Sequence, residues 1–154
     1  MQYKTIETPI GRLTIESCGE FVTRILFECE APVDVTQGDS PVLTLAAEQL
    51  NEYFCGARKV FTVPIKPTGG PFITRVWEIM AGDILFGTVT TYGEVASLAG
   101  NAKASRAVGM ANNRNPIPII IPCHRVLGKN GKLTGFRWGL EVKEKLLELE
   151  GISF

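Results

Sequence analysis

The stretch Thr91-Tyr-Gly-Glu-Val-Ala-Ser-Leu-Ala-Gly-Asn-Ala-Lys-Ala-Ser-Arg-Ala-Val-Gly-Met-Ala-Asn-Asn113 decides the architecture of the second half of this chain. It divides at Gly100-Asn101. Before the glycine, Thr91-x-x-Glu94 is a capping-box pattern that starts a short helix ending near Ala99. After it, over 103–113, Ala104, Ala107, Val108 and Ala111 fall at i, i+3, i+4 and i+7, the spacing of one helix face. That face is built of small side chains, so this helix can lie close on its neighbour. Its other face carries Lys103, Arg106, Met110 and Asn113. Two short helices joined by a Gly-containing turn form a helix-turn-helix pattern, and a basic, polar outer face suits contact with DNA. A plain αα-hairpin produces the same pattern, so the segment alone leaves both readings open.

Downstream lies Ile117-Pro-Ile-Ile-Ile121, an apolar run closed by Pro122. Its prolines forbid a helix and limit sheet pairing. The run is expected to thread the core and deliver Cys123 to a fixed place. Cys123-His124-Arg125 follows. A thiol near pKa 8.5 is a weak nucleophile until it ionises, and a neighbouring base and cations are the usual means of activating it. Adjacent side chains diverge, but a bend at Pro122 would let His124 reach Cys123 directly or through one water. The other reading is a structural cysteine beside a surface histidine. Gly128 to Gly131 makes a turn, and 139–150 reads as a last helix. At about 100° per residue, Leu140, Val142, Leu146, Leu147 and Leu149 share one broad apolar arc. Glu141, Glu144 and Glu148 lie outside that arc, whereas Glu150 falls inside it. A buried carboxylate is costly unless partnered. Either His124 is its partner, completing a nucleophile–base–orienter set, or Glu150 sits solvated at a frayed helix end.

Upstream, residues 2–7, 12–16 and 22–28 read as short strands separated by turns at Pro9-Ile10-Gly11 and Gly19-Glu20. Residues 30–41 are loop-like. A helix is expected over 42–54, with Leu43, Ala46, Ala47 and Leu50 in one stripe, followed by a strand over 60–65. Pro67-Thr68-Gly69-Gly70-Pro71 is a linker, and 72–81 is again helical, grouping Phe72, Val76, Ile79 and Met80. The chain is thus of the α/β (α+β) class, with expected domains over 1–66 and 67–154.

The 154 residues are 45% hydrophobic and 21% charged, ordinary for a soluble globular chain. No apolar run reaches the roughly 18 residues that span a bilayer. The opening MQYKTIETPIGRLTI alternates polar and apolar residues and lacks a signal-peptide core. The chain is therefore expected to stay in the compartment where it is made, the cytoplasm. The formal net charge is zero, but its distribution is uneven: 1–66 carries a net −3 and 101–145 a net +7. A basic segment in a neutral protein suggests a local polyanion-binding face, although a solvated surface has the same composition. Cys18, Cys29, Cys55 and Cys123 form no CxxC pair, and His124 is the single histidine. Neither zinc nor disulfides have support in that spacing.

Ile121-Pro-Cys-His-Arg-Val126 resembles the active-site signature of the O6-alkylguanine-DNA alkyltransferases. The likeness extends to Thr91-Tyr-Gly-Glu-Val-Ala, Arg106-Ala-Val-Gly109, Asn115-Pro116, Gly135-Phe-Arg-Trp-Gly139 and Lys143-Glu-Lys-Leu-Leu-Glu-Leu-Glu150. Upstream it takes in Thr8-Pro-Ile-Gly-Arg-Leu, Tyr53-Phe-Cys-Gly56 and the segment from Pro71-Phe72 to Val76-Trp77. It covers nearly the whole chain and is densest from 71 to 151.

The resemblance implies an N-terminal ribonuclease H-like domain and a C-terminal winged-helix domain that carries both DNA binding and alkyl transfer. It implies that Cys123 accepts the alkyl group irreversibly from O6-alkylguanine in double-stranded DNA, and that O4-alkylthymine is a second candidate substrate. His124 would take the thiol proton through a water, Glu150 would orient His124, and Asn115 would brace the segment leading to the site. Tyr92 would help rotate the nucleotide, Arg106 would fill the vacated stack, and the backbone near Val126 with Arg137 would contact the guanine edge. Lys103, Met110, Arg125 and Trp138 complete the expected DNA- and substrate-contacting set. In the family the reading helix enters the minor groove, where sequence information is poor. The target must be flipped out of the stack, and phosphate-driven binding should be salt-sensitive. A monomer that needs no cofactor is expected, because the DNA itself is the alkyl donor.

Two departures from the family pattern matter. Many members carry paired glycines near the pocket rim, where this chain has Arg137-Trp138-Gly139, so bulky adducts should react more poorly than methyl. Some members bind zinc through Cys and His in the first domain, whereas this chain has no histidine there. Three competing readings remain: a recognition-only relative, which would lack Cys123; a winged-helix regulator, which leaves Pro-Cys-His-Arg and Glu150 unexplained; and a thiol hydrolase, which would turn over.

Overall fold

The computed structural model describes residues 1–28, 30 and 32–153. Cys29 lies outside the described residues. The chain divides into two compact units, Met1–Thr68 and Gly69–Phe154.

In the first unit, β1 (Gln2–Thr8), β2 (Gly11–Cys18) and β3 (Phe21–Leu26) form an antiparallel meander. Gly11 turns the first hairpin at φ +105°, where an L side chain would be strained, and the Thr8 hydroxyl closes that turn on the Gly11 carbonyl at 2.6 Å. A short β4 (Thr36–Gln37) pairs parallel with Gln2 and Tyr3, giving the order β3-β2-β1-β4. It falls within the segment expected to be loop; two residues are too few to show a period. The helix α1 (Pro41–Phe54) has proline in its first turn, where the missing N–H costs nothing. It buries Leu43, Ala46, Ala47, Leu50 and Tyr53 together with Leu13 and Ile15 of β2. The strand expected over 60–65 is reduced to one parallel bridge, Val22 to Ile65. The N–H groups of Thr62 and Val63 are taken instead by the buried Gln49 side chain at 3.0 and 3.1 Å, and Pro64 has none to offer.

The second unit opens with α2 (Pro71–Asp83), continues through β5 (Thr90–Thr91) directly into α3 (Tyr92–Leu98), and then α4 (Ser105–Asn113). The three helices pack on one another. Trp77 of α2 fixes the end of α4 by donating its indole N–H to the Ala111 carbonyl at 2.8 Å. Half of the expected capping box forms: Thr91 accepts from the Glu94 N–H at 3.2 Å, while the Glu94 carboxylate takes the Thr90 hydroxyl at 2.8 Å. The helix α4 starts at Ser105, so Lys103 stands in the preceding turn, where its N–H is held by the Asn101 side chain. After α4 the chain makes a 3-10 turn at Cys123–Arg125, β6 (Val126–Leu127) pairs parallel with β5, and α5 (Leu140–Leu149) follows. Among the described residues, no helix is long and apolar enough to cross a membrane.

Candidate active site

The cysteine is placed by a folded-back run of isoleucines. Ile117, Ile119, Ile120 and Ile121 are all buried, and Ile121 N–H closes on the Ile117 carbonyl at 2.9 Å. Reversing the chain so tightly puts Ile119 at φ +75°. For a β-branched residue that is a strained conformation. The buried Asn115 carboxamide holds both ends of the turn, accepting from Ile117 N–H at 2.9 Å and donating to the Ile121 carbonyl at 2.7 Å. Cys123 N–H then bonds the Ile121 carbonyl at 2.8 Å. From α4, the buried Asn112 amide donates to the Cys123 carbonyl at 3.3 Å. The end of the helix-turn-helix and Cys123 are thereby joined through backbone and two asparagines.

Behind Cys123, His124 and Glu150 are both buried and meet at 2.6 Å, Nε2 to Oε2. An ionised carboxylate only accepts, so Nε2 carries the proton and Nδ1 keeps its lone pair. Nδ1 is buried with no protein partner among the described residues. Glu150 also takes Arg125 Nε at 2.8 Å and a second guanidinium nitrogen at 3.1 Å, and the Gly87 N–H at 3.2 Å. Burial alone would raise the Glu150 carboxyl, but the hydrogen bonds and charges of His124 and Arg125 bring it down to about 2. Burial lowers the pKa of His124, against the opposing pull of Glu150, so the imidazole is a neutral base at rest. Burial pushes the Cys123 thiol up to about 11, opposed by a hydrogen bond from Asn115 and by the charges of Lys143 and Arg137. The resting pair is therefore a neutral thiol and a neutral imidazole. A neutral imidazole whose Nδ1 keeps its lone pair has the chemistry of a general base, and a thiol becomes a nucleophile once it gives up its proton.

Around this centre, Tyr92 begins α3 with its hydroxyl 3.3 Å from that of Thr134. Arg106, Met110 and Asn113 are exposed on α4, and Lys103 is exposed just before it. Val126 is buried. The Arg137 guanidinium lies 5.0 Å from the Trp138 ring, which meets Phe136 edge-on at 5.1 Å.

Residues 1–67 match the family described as 6-O-methylguanine DNA methyltransferase, ribonuclease-like domain. Residues 71–152 match the 6-O-methylguanine DNA methyltransferase, DNA binding domain. The methylated-DNA–protein-cysteine methyltransferase of Methanosarcina acetivorans is 45% identical over 98% of this chain and 99% of its own length. The constitutive enzyme of that name from Bacillus subtilis is 41% identical over 99% and 96%. The crystal structure of Mycobacterium tuberculosis OGT in complex with DNA superposes with a TM-score of 0.90 at 41% identity, covering 97% of this chain and 92% of that one. This chain belongs to the 6-O-methylguanine DNA methyltransferase family.

In this family member one expected DNA contact is placed elsewhere. Arg125 does not face outward; it is 5% exposed, chelates Glu150 and donates to the Ile84 carbonyl at 2.6 Å. A cation next to a buried carboxylate gains far more from that partner than from solvent. Of the nine basic residues between 101 and 145, Arg125 and Lys143 are buried and the other seven are exposed. Sequence reading missed Lys143 and Asn112. Lys143 was legible in principle: seven residues before Glu150, it lies on the same helix face at 3.6 residues per turn. Asn112 adjoins the buried Ala111 on α4, but nothing in its spacing marks its carboxamide as a partner for Cys123.

Proposed function

We propose that this methyltransferase repairs O6-alkylguanine in duplex DNA by direct, single-turnover transfer of the alkyl group to Cys123. The observation that carries the reading is the buried Cys123–His124–Glu150 set, held by Asn115 behind a helix-turn-helix with a basic outer face. His124 Nδ1 accepts the thiol proton, directly or through one water, and Glu150 fixes the tautomer and balances the imidazolium that forms. The sulfur forms a bond to the alkyl carbon as the carbon–O6 bond breaks. The electron pair leaves with the guanine, which takes up a proton. The product is a thioether without a leaving group, so each molecule acts once and no cofactor enters.

The first unit, matching the ribonuclease-like domain, contributes no residue to this chemistry. In the second, Arg106, Met110 and Lys103 meet the DNA, with Arg106 occupying the gap left by the extruded base. Tyr92 turns the nucleotide, and the Val126 backbone with Arg137 and Trp138 borders the base. We assign the protein to the compartment that holds DNA, acting as a monomer on double-stranded DNA and reaching O4-alkylthymine as a second substrate.

The test is intact-protein mass after incubation with a duplex carrying one O6-methylguanine. One added methylene on Cys123, saturating at one per protein and absent in Cys123→Ala, is expected. Damage-dependent binding without a mass change would reduce the protein to a recognition module, and repeated turnover would make it a hydrolase.

A further inference from the structure

Lys143 is fully buried, and the transfer chemistry gives it no part. Its ammonium donates to the Val126 carbonyl at 2.8 Å and to the Thr134 carbonyl at 3.4 Å. These carbonyls stand at the two ends of one loop. Val126 follows Cys123-His124-Arg125 directly, and Thr134 precedes the Phe136–Trp138 aromatic pair. Between them the chain doubles back, with Gly128 N–H on the Lys132 carbonyl at 2.8 Å. Thr134 in turn holds the Tyr92 hydroxyl, and Lys143 Nζ lies 5.8 Å from the Phe136 ring centre. An apolar side chain would fill this space without the cost of a desolvated charge.

We infer that Lys143 is a positioning residue for alkyl transfer: its ammonium clasps the two ends of the 126–134 loop beside the nucleophile and supplies a positive charge that favours the thiolate. The inference rests on Cys123 being the acceptor.

The surrounding charges single Lys143 out. His124 and Arg125 face the site from the 3-10 turn and Glu150 from the C-cap of α5, and Arg125 and Glu150 satisfy each other. Arg137 acts on the sulfur from an exposed position, where solvent screens it. Tyr92 approaches from α3 through Thr134. Lys143 is left as the buried cation coupled to Cys123. Burial lowers it to about 8, with Cys123 pulling upward. It is an ammonium at neutral pH, and both the clasp and its charge are lost as pH rises through that value.

The experiment is the single-turnover rate on an O6-methylguanine duplex from pH 6 to 9.5 for wild type, Lys143→Met and Lys143→Arg, with circular dichroism to establish folding. Wild type should slow above a pH of about 8. Lys143→Met should lack that limb and need a pH about one unit higher to reach half its rate, about tenfold slower near neutrality. Lys143→Arg keeps a charge that does not titrate in this range and should recover most of the rate without the high-pH limb. A Met variant with the wild-type rate and profile overturns the inference. If neither variant folds, amide exchange of the wild-type 128–134 loop decides. Protection lost through pH 8 supports the clasp, and protection unchanged from pH 7 to 9 overturns it. Wild-type protein that gains no methyl would instead sink the assignment of Cys123 itself.

Discussion

Replacing Glu150 by glutamine keeps the shape of the side chain and removes its charge. The carboxylate now accepts from His124 and a guanidinium nitrogen on Oε2, and from Arg125 Nε and Gly87 N–H on Oε1. In either amide orientation the new NH2 faces two donors. Arg125, 5% exposed, loses its counter-ion. Breaking one partner of a buried pair costs about 3–5 kcal/mol. Linkage gives a similar figure: a carboxyl held at about 2 against its ordinary 4.5 corresponds to about 3 kcal/mol. Because the folded value is the lower one, that stability is complete above pH 4.5 and is lost as pH falls through about 2. Urea unfolding near neutrality should therefore show a loss of about 3–5 kcal/mol, and the contribution of Glu150 to acid unfolding should vanish in the variant. Methyl transfer should slow by roughly 10²–10⁴, the usual share of an oriented general base. A Glu150→Gln protein as stable as wild type would refute the ion-pair argument. A stable and fully active one would remove Glu150 from the chemistry as well.

Asn115→Ala leaves Ile117 N–H buried and unpaired and strips the Ile121 carbonyl of one of its two donors, so a chemical-denaturation scan should find about 1–3 kcal/mol less stability, together with slower transfer. Arg106→Ala should impair transfer from duplex DNA but not from the free base O6-benzylguanine; equal losses on both would argue against a role in the vacated stack. Lys103→Ala should weaken DNA binding on every sequence and reduce the salt slope by about one if the side chain contacts a phosphate, which anisotropy titrations at several salt concentrations would read. Trp138→Gly should raise the rate on O6-benzylguanine relative to O6-methylguanine, and an unchanged ratio would clear Trp138 of restricting the pocket.

The parts of this molecule that read directly from sequence are those where one local pattern meets no competitor. The turn-bounded strands β1 and β2, the Val108–Ala111 face of α4, and the proline-bounded run before Cys123 each appear where expected. The misreadings arise where a side chain takes over work usually done by backbone. Gln49 satisfies the N–H groups of 62–63, so an alternating segment needs little sheet pairing and keeps only the bridge at Ile65. The charged residues show the same limit. Arg125 and Lys143 count as basic in any tally, yet their environment is set by Glu150 and by two carbonyls that only the tertiary fold brings close. The inward carboxylate on the last helix was visible because its face is apolar; its second partner, the arginine beside the histidine, was not.

The contacts of Glu150 also bear on how the protein comes into being. They join positions 63, 26 and 25 residues apart. Closing such spans costs chain entropy before any contact rewards it. The reading helices, by contrast, sit close together along the chain and can associate early. A molecule caught partway through folding would thus present its DNA-binding surface and its sulfur while the imidazole still lacked an orienting partner. Chemical competence arrives with the docking of the final helix, so anything that loosens this helix should yield a population that holds DNA but does not mend it.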